Sequence, residues 1–236
     1  MAAEIIAGRA QDLLLLCDHA SDHVPEDIDL GVEARLLALH IAADIGAGPL
    51  TRSLAARLDA PAILGGVSRL VIDLHREPDH PGLIPAHSDG HVIRGNADAN
   101  REDRIARFHM PYHQAIEEQV ARQRPKLIVS IHSFTPKLEQ GGADRPWQVG
   151  ILYNEDARAA TPAIEWLRAQ GLVTGDNEPY SGKLLNATLN RHAEANDIPS
   201  IAVEVRNDLI RDEAGVAEWC DTLTGLIEHL RSAVLT

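Results

Sequence analysis

In the stretch LLLLCDHASDHVP, residues 13–25, an apolar run is followed at once by a cluster of polar residues. A continuous apolar run, rather than an alternating one, is typical of a strand buried on both faces of a parallel sheet. Similar short runs occur at 62–64, 70–74, 127–131, 149–152 and 201–205. The sequence therefore predicts six buried strands, the first of them at 13–17.

Longer amphipathic stretches separate these runs. They predict helices at 32–44, 49–58, 99–122, 156–169, 185–194 and 212–235. Alternation of strands and helices indicates a doubly wound α/β sheet, and the absence of a repeat or linker predicts one domain over 1–236. Two irregular segments, 76–98 and 133–146, are expected to cover a site.

Composition excludes some classes of partner. The net charge is −13, with 22 basic and 35 acidic residues, which argues against nucleic acid because phosphate binding needs a basic face. A small anionic ligand needs only two or three arginines, so it remains compatible with this charge. No apolar run is long enough for a membrane span. Cys17 and Cys220 form neither a disulfide framework nor a CxxC site, which predicts a cytoplasmic setting.

Reactive side chains follow several of the predicted strands. Asp18 and His19 come after the first strand, and His132 comes after 127–131. The run 70–74 is followed by His75 and Arg76. Because ligands of open α/β sheets bind beyond the carboxyl ends of the strands, these side chains are expected to share one site.

Their types suit metal-assisted hydrolysis. A catalytic zinc, or another divalent ion, uses about three His or carboxylate ligands and leaves a position for water. We predict the ligands His19, Asp22 and His132; His23 is an alternative to Asp22, and Asp44 is either a helix-end residue or part of the site.

Glu204 is the predicted acid–base residue, since an unpaired charge in the apolar run AVEV would be costly. Alternatively, Glu204 has a structural role and forms an ion pair with an arginine such as Arg206. Arg76 is the first candidate to bind an anionic group of the substrate, and Arg69 is the second. Arg69 could instead form an ion pair with Asp73. The remaining histidines of the predicted helices are expected at the surface or in packing: His40, His109, His113, His192 and His229.

At these residues the sequence resembles the N-formylglutamate amidohydrolase family. The matching stretches are CDHASDHVP (17–25), SRLVIDLHR (68–76), SIHSFTP (130–136), NEPYSG (177–182) and VEVRNDLI (203–210). Weaker agreement is found in HIAADIGA (40–47) and HSDGHVIRGN (87–96). The stretches occur in order over nearly the whole chain.

The resemblance implies a three-layer α/β/α sandwich with a mostly parallel, mixed sheet of the zinc-exopeptidase (phosphorylase/hydrolase)-like type. His19, Asp22 and His132 would match the relatives' HxxE pair and later histidine, and Glu204 their late catalytic glutamate. A substrate-binding Asn-Arg pair would align with His75 and Arg76, and Tyr180 would cover the substrate. Arg206 is a further candidate substrate contact.

The predicted reaction is hydrolysis of the linear amide of N-formyl-L-glutamate to formate and glutamate. A deacylase or carboxypeptidase-like enzyme for another N-acyl amino acid or short peptide is the alternative. A non-catalytic protein that binds an acidic metabolite is a third hypothesis, and the presence of His19, His132 and Glu204 argues against it.

Overall fold

The structure, a computed structural model, describes residues 1–234. The strands formed there are β1 (Ala3–Ile6), β2 (Leu13–Cys17), β3 (Ala62–Gly65), β4 (His87–Ser88), β5 (His91–Val92), β6 (Leu127–Phe134), β7 (Val149–Leu152), β8 (Thr174–Asp176) and β9 (Ser200–Arg206). The α-helices are α1 (Ala47–Leu58), α2 (Arg101–Arg104), α3 (Met110–Gln123), α4 (Ala160–Ala169), α5 (Ala187–His192) and α6 (Glu213–Val234). A π-helical segment, Ile105–His109, joins α2 to α3.

Seven strands form one mixed sheet in the order β1-β3-β2-β6-β9-β7-β8, and β4 and β5 form a separate hairpin. The four central strands, β3, β2, β6 and β9, are parallel to one another. The edge strand β1 is antiparallel to β3, and β7 is antiparallel to β9. The carboxyl ends of β2, β6 and β9 therefore lie side by side at one edge of the sheet.

Helices cover both faces of this sheet. Alternate residues of β2 point to opposite sides, so Leu13 and Leu15 pack in the layer of α1, α4 and α6. Leu14 and Leu16 pack in the opposite layer, with α3 and α5. The arrangement confirms the predicted three-layer α/β/α sandwich with a mostly parallel, mixed sheet.

Most strand predictions are confirmed, because a strand buried on both faces leaves a continuous apolar run. The runs at 13–17 and 149–152 match β2 and β7, and the other three agree within a few residues with β3, β6 and β9. The strands β1 and β8 and the hairpin β4–β5 were not predicted, since they are short and partly exposed.

The predicted strand at 70–74 is wrong. The segment is buried but follows a series of turns on the α3 side of the sheet. Side chains rather than a neighbouring strand satisfy its carbonyl groups: Asn96 donates to Leu70, Arg104 to Val71 and His113 to Leu74. Burial on all sides produces the same apolar composition as a central strand, so the run alone could not separate the two structures.

Predicted helices are confirmed in most places. The segments α1, α3, α4, α5 and α6 occupy the predicted regions, and the last predicted residue of α6 lies outside the described residues. The helix predicted at 32–44 is wrong beyond a short 3₁₀ segment, Ala34–Ala38. Ala42 there accepts hydrogen bonds from Ser68 and Arg69, and the Asp44 amide donates to the His19 carbonyl, so tertiary contacts replace helical ones. No helix within residues 1–234 is both long and apolar enough to cross a membrane.

Candidate active site

Three parallel strands deliver the reactive side chains to one edge of the sheet. His19 follows the end of β2, and His132 and Glu204 are direct neighbours across β6 and β9. His132 and Glu204 point to one face of the sheet. Their neighbours Ile131 and Val203 point to the opposite face and pack in the layer of α1, α4 and α6. The strand-end positions therefore account for the proximity of the two histidines and the glutamate.

Asp44 enters the same site from a loop. Its amide donates to the His19 carbonyl at 3.0 Å, and its own carbonyl accepts from Ala47 at the start of α1. These two backbone bonds fix the residue next to the end of β2. Its side chain is 4% exposed and also accepts a hydrogen bond from the Ser133 amide at 3.3 Å.

His19, Asp44 and His132 form a group that could hold a metal ion. One ligand atom from each lies within 4.8 Å of the other two. Nδ1 of His19 is 3.4 Å and Nδ1 of His132 2.8 Å from Oδ2 of Asp44. Two imidazoles and one carboxylate are a donor set that zinc uses at catalytic sites.

The opposite nitrogen of each ring is held by a second carboxylate. Nε2 of His19 is 2.7 Å from Oδ1 of Asp73, and Nε2 of His132 is 3.1 Å from Oδ2 of Asp18. Such outer carboxylates fix the tautomer and orientation of metal-binding histidines. The residues present therefore fit a divalent ion.

A second group, Asp18, His75 and His132, also lies within ligand distance. Asp18 is fully buried, and its Oδ1 accepts hydrogen bonds from Tyr112 and Thr188. It does not line the cavity, whereas His19, Asp44 and His132 all do. We therefore assign Asp18 to the support of the site and the group around Asp44 to its open face.

Carboxylates outnumber guanidiniums in this site. Burial would raise the pKa of Asp44, but His19, His132 and Arg69 hold it below its ordinary value. Burial would lower the pKa of His132, but the Asp18 and Asp44 carboxylates raise it well above its ordinary value. Four carboxylates face two guanidiniums in and behind the cavity: Asp18, Asp44, Asp73 and Glu204 against Arg69 and Arg76. With ionised carboxylates and neutral imidazoles, a divalent cation would balance this excess.

Glu204 lines the same cavity and is buried. Its Oε2 has no hydrogen-bond partner among the described residues. Burial, opposed by His132, raises the pKa of the Glu204 carboxyl to about 7. A buried carboxyl with an unpaired oxygen beside a candidate metal site suits proton transfer near neutral pH.

Arg76 and Tyr180 are part of the wall of the cavity, which has a volume of about 150 Å³. Among residues 1–234, the carboxylate near Arg76 is that of Asp73, whose Oδ2 lies 3.8 Å from the Arg76 Nε. Burial raises the pKa of Tyr180, whose hydroxyl accepts a hydrogen bond from Arg145 at 3.0 Å. Arg76 therefore has donors available for an anionic ligand.

A second cavity, of about 370 Å³, continues from the first. The two share His40, Arg69, Arg76 and Tyr180. Its roof contains Asp89 of the hairpin turn, which accepts hydrogen bonds from the amides of Glu139 and Gln140. The irregular segments 76–98 and 133–146 thus meet above the site.

The structure brings together some predicted site residues and leaves others apart. His19, His132 and Glu204 line one cavity with Arg69, Arg76 and Tyr180. Asp22 and His23 are exposed and outside that lining. Asp22 is thus not beside His19 and His132, because the chain turns outward after His19. The carboxylate that lies beside these two histidines is that of Asp44.

The arginines differ in a similar way. Arg69 donates to Asp44 and Asp73, which agrees with the ion-pair alternative for this residue. Arg206 pairs with Asp208, with Nε 2.8 Å from Oδ1, and is outside the cavity lining. Glu204 consequently has no ion pair with Arg206.

The supporting residues are not evident as such from the sequence. Asp18 directly follows the first predicted strand and Asp73 is a predicted alternative partner of Arg69, whereas no pattern marks Thr188 or Tyr112. Asp44 lies in HIAADIGA, one of the weaker matching stretches, and this was the available indication of its role.

The fold and the cluster define an α/β protein with a candidate active site at the carboxyl ends of parallel strands. The family model for N-formylglutamate amidohydrolase matches residues 11–211. The chain belongs to the N-formylglutamate amidohydrolase family and is a hydrolase of carbon–nitrogen bonds in linear amides.

Solved structures share this fold. The chain is similar to gene product Atu2144 from Agrobacterium tumefaciens, with 31% identity, a TM-score of 0.93 and coverage of 100% of this chain and 96% of that one. It has the fold of N-formylglutamate amidohydrolase from Ralstonia eutropha JMP134, with 20% identity, a TM-score of 0.72 and coverage of 99% and 97%. Among curated proteins, no sequence gives a significant match.

Proposed function

We propose that this chain is a metal-dependent amidohydrolase that cleaves N-formyl-L-glutamate to formate and L-glutamate. The observation that carries the proposal is the buried group of His19, Asp44 and His132 beside the unpaired oxygen of Glu204. Membership of the family supports the substrate. The buried free thiols of Cys17 and Cys220 support a cytoplasmic setting.

Zinc, or another divalent ion, would be held by His19, Asp44 and His132. When bound, it would polarise the amide carbonyl and acidify a water molecule. Asp73 and Asp18 would keep the two imidazoles turned toward it through their Nε2 atoms. Arg69, which donates to both Asp44 and Asp73, would keep these carboxylates in place and ionised.

Glu204 would move the proton. As a carboxylate it accepts a proton from the attacking water, and it then delivers this proton to the leaving amine nitrogen. The free Oε2 is available for the first transfer, and the raised pKa makes the second favourable.

Arg76 would bind a carboxylate of the substrate and fix the amide relative to Glu204. Its planar guanidinium can hold a carboxylate through two hydrogen bonds, which orients the substrate as well as attracting it. Tyr180, also in the wall, would close over the bound molecule.

The second cavity favours one alternative, the hydrolysis of a larger N-acyl amino acid or short peptide. It continues from the first past Arg69, Arg76 and Tyr180 and has more than twice the volume. A substrate that extends beyond Arg76 would find space there without any change in the chemistry.

The proposal is tested by release of formate or acetate from N-formyl-L-glutamate, N-formyl-L-aspartate and N-acetyl-L-glutamate, before and after removal of metal. We expect highest kcat/KM on N-formyl-L-glutamate and loss of turnover without metal. In Arg76→Lys, KM for this substrate should rise roughly tenfold or more because one point charge replaces a planar fork. Full activity in metal-free protein would contradict the mechanism, and activity on N-acetyl-L-glutamate alone would contradict the substrate.

A further inference from the structure

Three buried histidines lie together outside the candidate active site. His109 and His113 belong to the helical stretch of α2 and α3, and His192 belongs to α5. Their exposed fractions are 1%, 2% and 3%. The His113 ring stacks on the His192 ring at a centroid distance of 5.1 Å and lies 4.2 Å from the His109 ring.

Hydrogen bonds define the direction of each donor in this group. Nε2–H of His113 donates to the Leu74 carbonyl at 2.9 Å, so its Nδ1 is free to accept from Nε2–H of His192 at 2.8 Å. Nε2–H of His109 donates to the Arg76 carbonyl at 2.9 Å. Burial lowers the pKa of His113 to about 3 and that of His192 to about 4, in agreement with neutral rings.

The two carbonyls that these histidines hold belong to the residues on either side of His75. Both His75 and Arg76 line the cavity. The segment has no strand partner; the Arg76 amide donates to the Asp73 carbonyl at 3.2 Å, and side-chain hydrogen bonds hold the Leu74 and Arg76 carbonyls. The His75 ring itself is held from α5, by Thr188 at 3.1 Å from Nδ1.

The geometry of the two helices brings these hydrogen-bond donors next to the Leu74–Arg76 segment. Ile105–His109 is π-helical, and α3 continues from it, so His109 and His113 are one turn apart on the same side of the helix. Thr188 and His192 have the same four-residue spacing on α5. Wide helical turns of this kind are rare and often occur at functional sites.

We propose that His113, supported by His109 and His192, is a positioning residue that fixes the Leu74–Arg76 segment and so places Arg76 for the substrate carboxylate. The inference rests on the proposed function for its substrate. These histidines do not line the cavity. Both nitrogens of His113 and the Nε2 atoms of His109 and His192 are engaged in the hydrogen bonds described above, and the three form no metal-binding group among the described residues.

The test compares His113→Leu, which removes both hydrogen bonds, with His113→Gln, whose amide can donate to Leu74 and accept from His192. The matched control is His229→Leu, because His229 is an exposed histidine on α6, in the other helix layer. We expect KM for N-formyl-L-glutamate to rise roughly tenfold to a hundredfold in His113→Leu, with kcat changed less and bound metal unchanged. His113→Gln should recover most of the loss, and His229→Leu should behave as the unmodified enzyme.

A second readout needs no substrate. The imidazole ¹⁵N resonances of His75 should shift in His113→Leu and return in His113→Gln, whether or not the enzyme accepts N-formyl-L-glutamate. If His113→Leu does not fold, His192→Leu removes the outer donor alone and should give a smaller change in the same direction. Unchanged His75 resonances together with unchanged KM would overturn the proposal, and so would equal impairment of the Leu and Gln variants. Failure of all forms to hydrolyse the substrate, with the His75 shift present, would instead overturn the proposed function.

Discussion

Glu204 combines burial, an unpaired oxygen and a pKa raised to about 7. In Glu204→Gln the side chain keeps its shape but can no longer accept the proton from water. We expect kcat to fall roughly a hundredfold to ten-thousandfold, with bound metal and fold retained. Initial rates of formate release measure this effect.

The control for this substitution is Glu165→Gln, since Glu165 is an exposed glutamate of α4. It should have no effect on rate. A Glu204→Gln enzyme within a few-fold of the unmodified rate would show that another group carries the proton.

The residues of the site were predictable to different degrees. His19, His132 and Glu204 could be identified because each stands at the end of an apolar run, and the ends of parallel strands meet. Asp44 could only be predicted as either a helix-end residue or part of the site, because its position depends on a loop that returns to the His19 carbonyl, a tertiary contact between residues 25 positions apart. Asp22 has suitable spacing from His19, but the chain turns to solvent before reaching it.

At the scale of elements, the buried segment 70–76 depends on polar side chains from outside it. The Asn96 amide donates to Leu70 and Pro85, both at 2.8 Å, and its Oδ1 accepts from Arg104. Asn96→Ala would remove the donor to the Leu70 and Pro85 carbonyls and one of the acceptors of Arg104, which would keep its bond to Val71. We expect a loss of about 3 kcal/mol in the free energy of unfolding, measured with urea.

The comparison is Asn100→Ala, which removes the cap at the start of α2, where Asn100 accepts from the Asp103 amide. That exposed cap should contribute about 1 kcal/mol. Equal losses in the two variants would contradict a special dependence of segment 70–76 on Asn96.

This dependence also explains which elements the sequence could reveal. Apolar composition identifies β2, β6 and β9, since burial between two helix layers selects it. The same composition at 70–74 predicted a strand, because the donors that replace a strand partner, Asn96 and Arg104, are distant in the chain. A local apolar pattern indicates that a segment is buried. It does not indicate which groups form hydrogen bonds with the backbone of that segment.

At the scale of the whole molecule, the buried histidine cluster makes folding depend on pH. Burial holds the pKa of His113 at about 3 and that of His192 at about 4, below the value of about 6.5 for an unfolded chain. Arg191 lowers the pKa of both residues further, and Asp18 opposes the effect. As pH falls from about 6.5 toward 4, the unfolded chain binds these protons and the folded protein does not, so stability decreases.

Each of these histidines should reduce the free energy of unfolding by about 1.4 kcal/mol per pH unit within this range. Urea unfolding between pH 4 and 7 measures the slope. In His113→Gln the unfolded chain should bind one proton fewer over this pH range, so the slope should become smaller. An unchanged slope in this variant would contradict the assignment of neutral buried rings.

The three-layer architecture was predictable as a whole, because strand and helix signals alternate and the family resemblance extends along the chain. The cavities were not, since their walls come from irregular segments. The hairpin β4–β5 reaches the loop after β6 through Asp89 and the amides of Glu139 and Gln140, about 50 residues away. No periodic pattern records such a contact.

In the proposed enzyme, His19, Asp44 and His132 would hold a catalytic divalent ion, and this metal site can be tested directly. Its most direct test is the metal content of the purified enzyme beside that of two matched variants, Asp44→Asn and Asp22→Asn. We predict one bound zinc or equivalent ion per chain in the unmodified enzyme and in Asp22→Asn, and loss of both metal and formate release in Asp44→Asn. Metal retained in Asp44→Asn and lost in Asp22→Asn would contradict the claim.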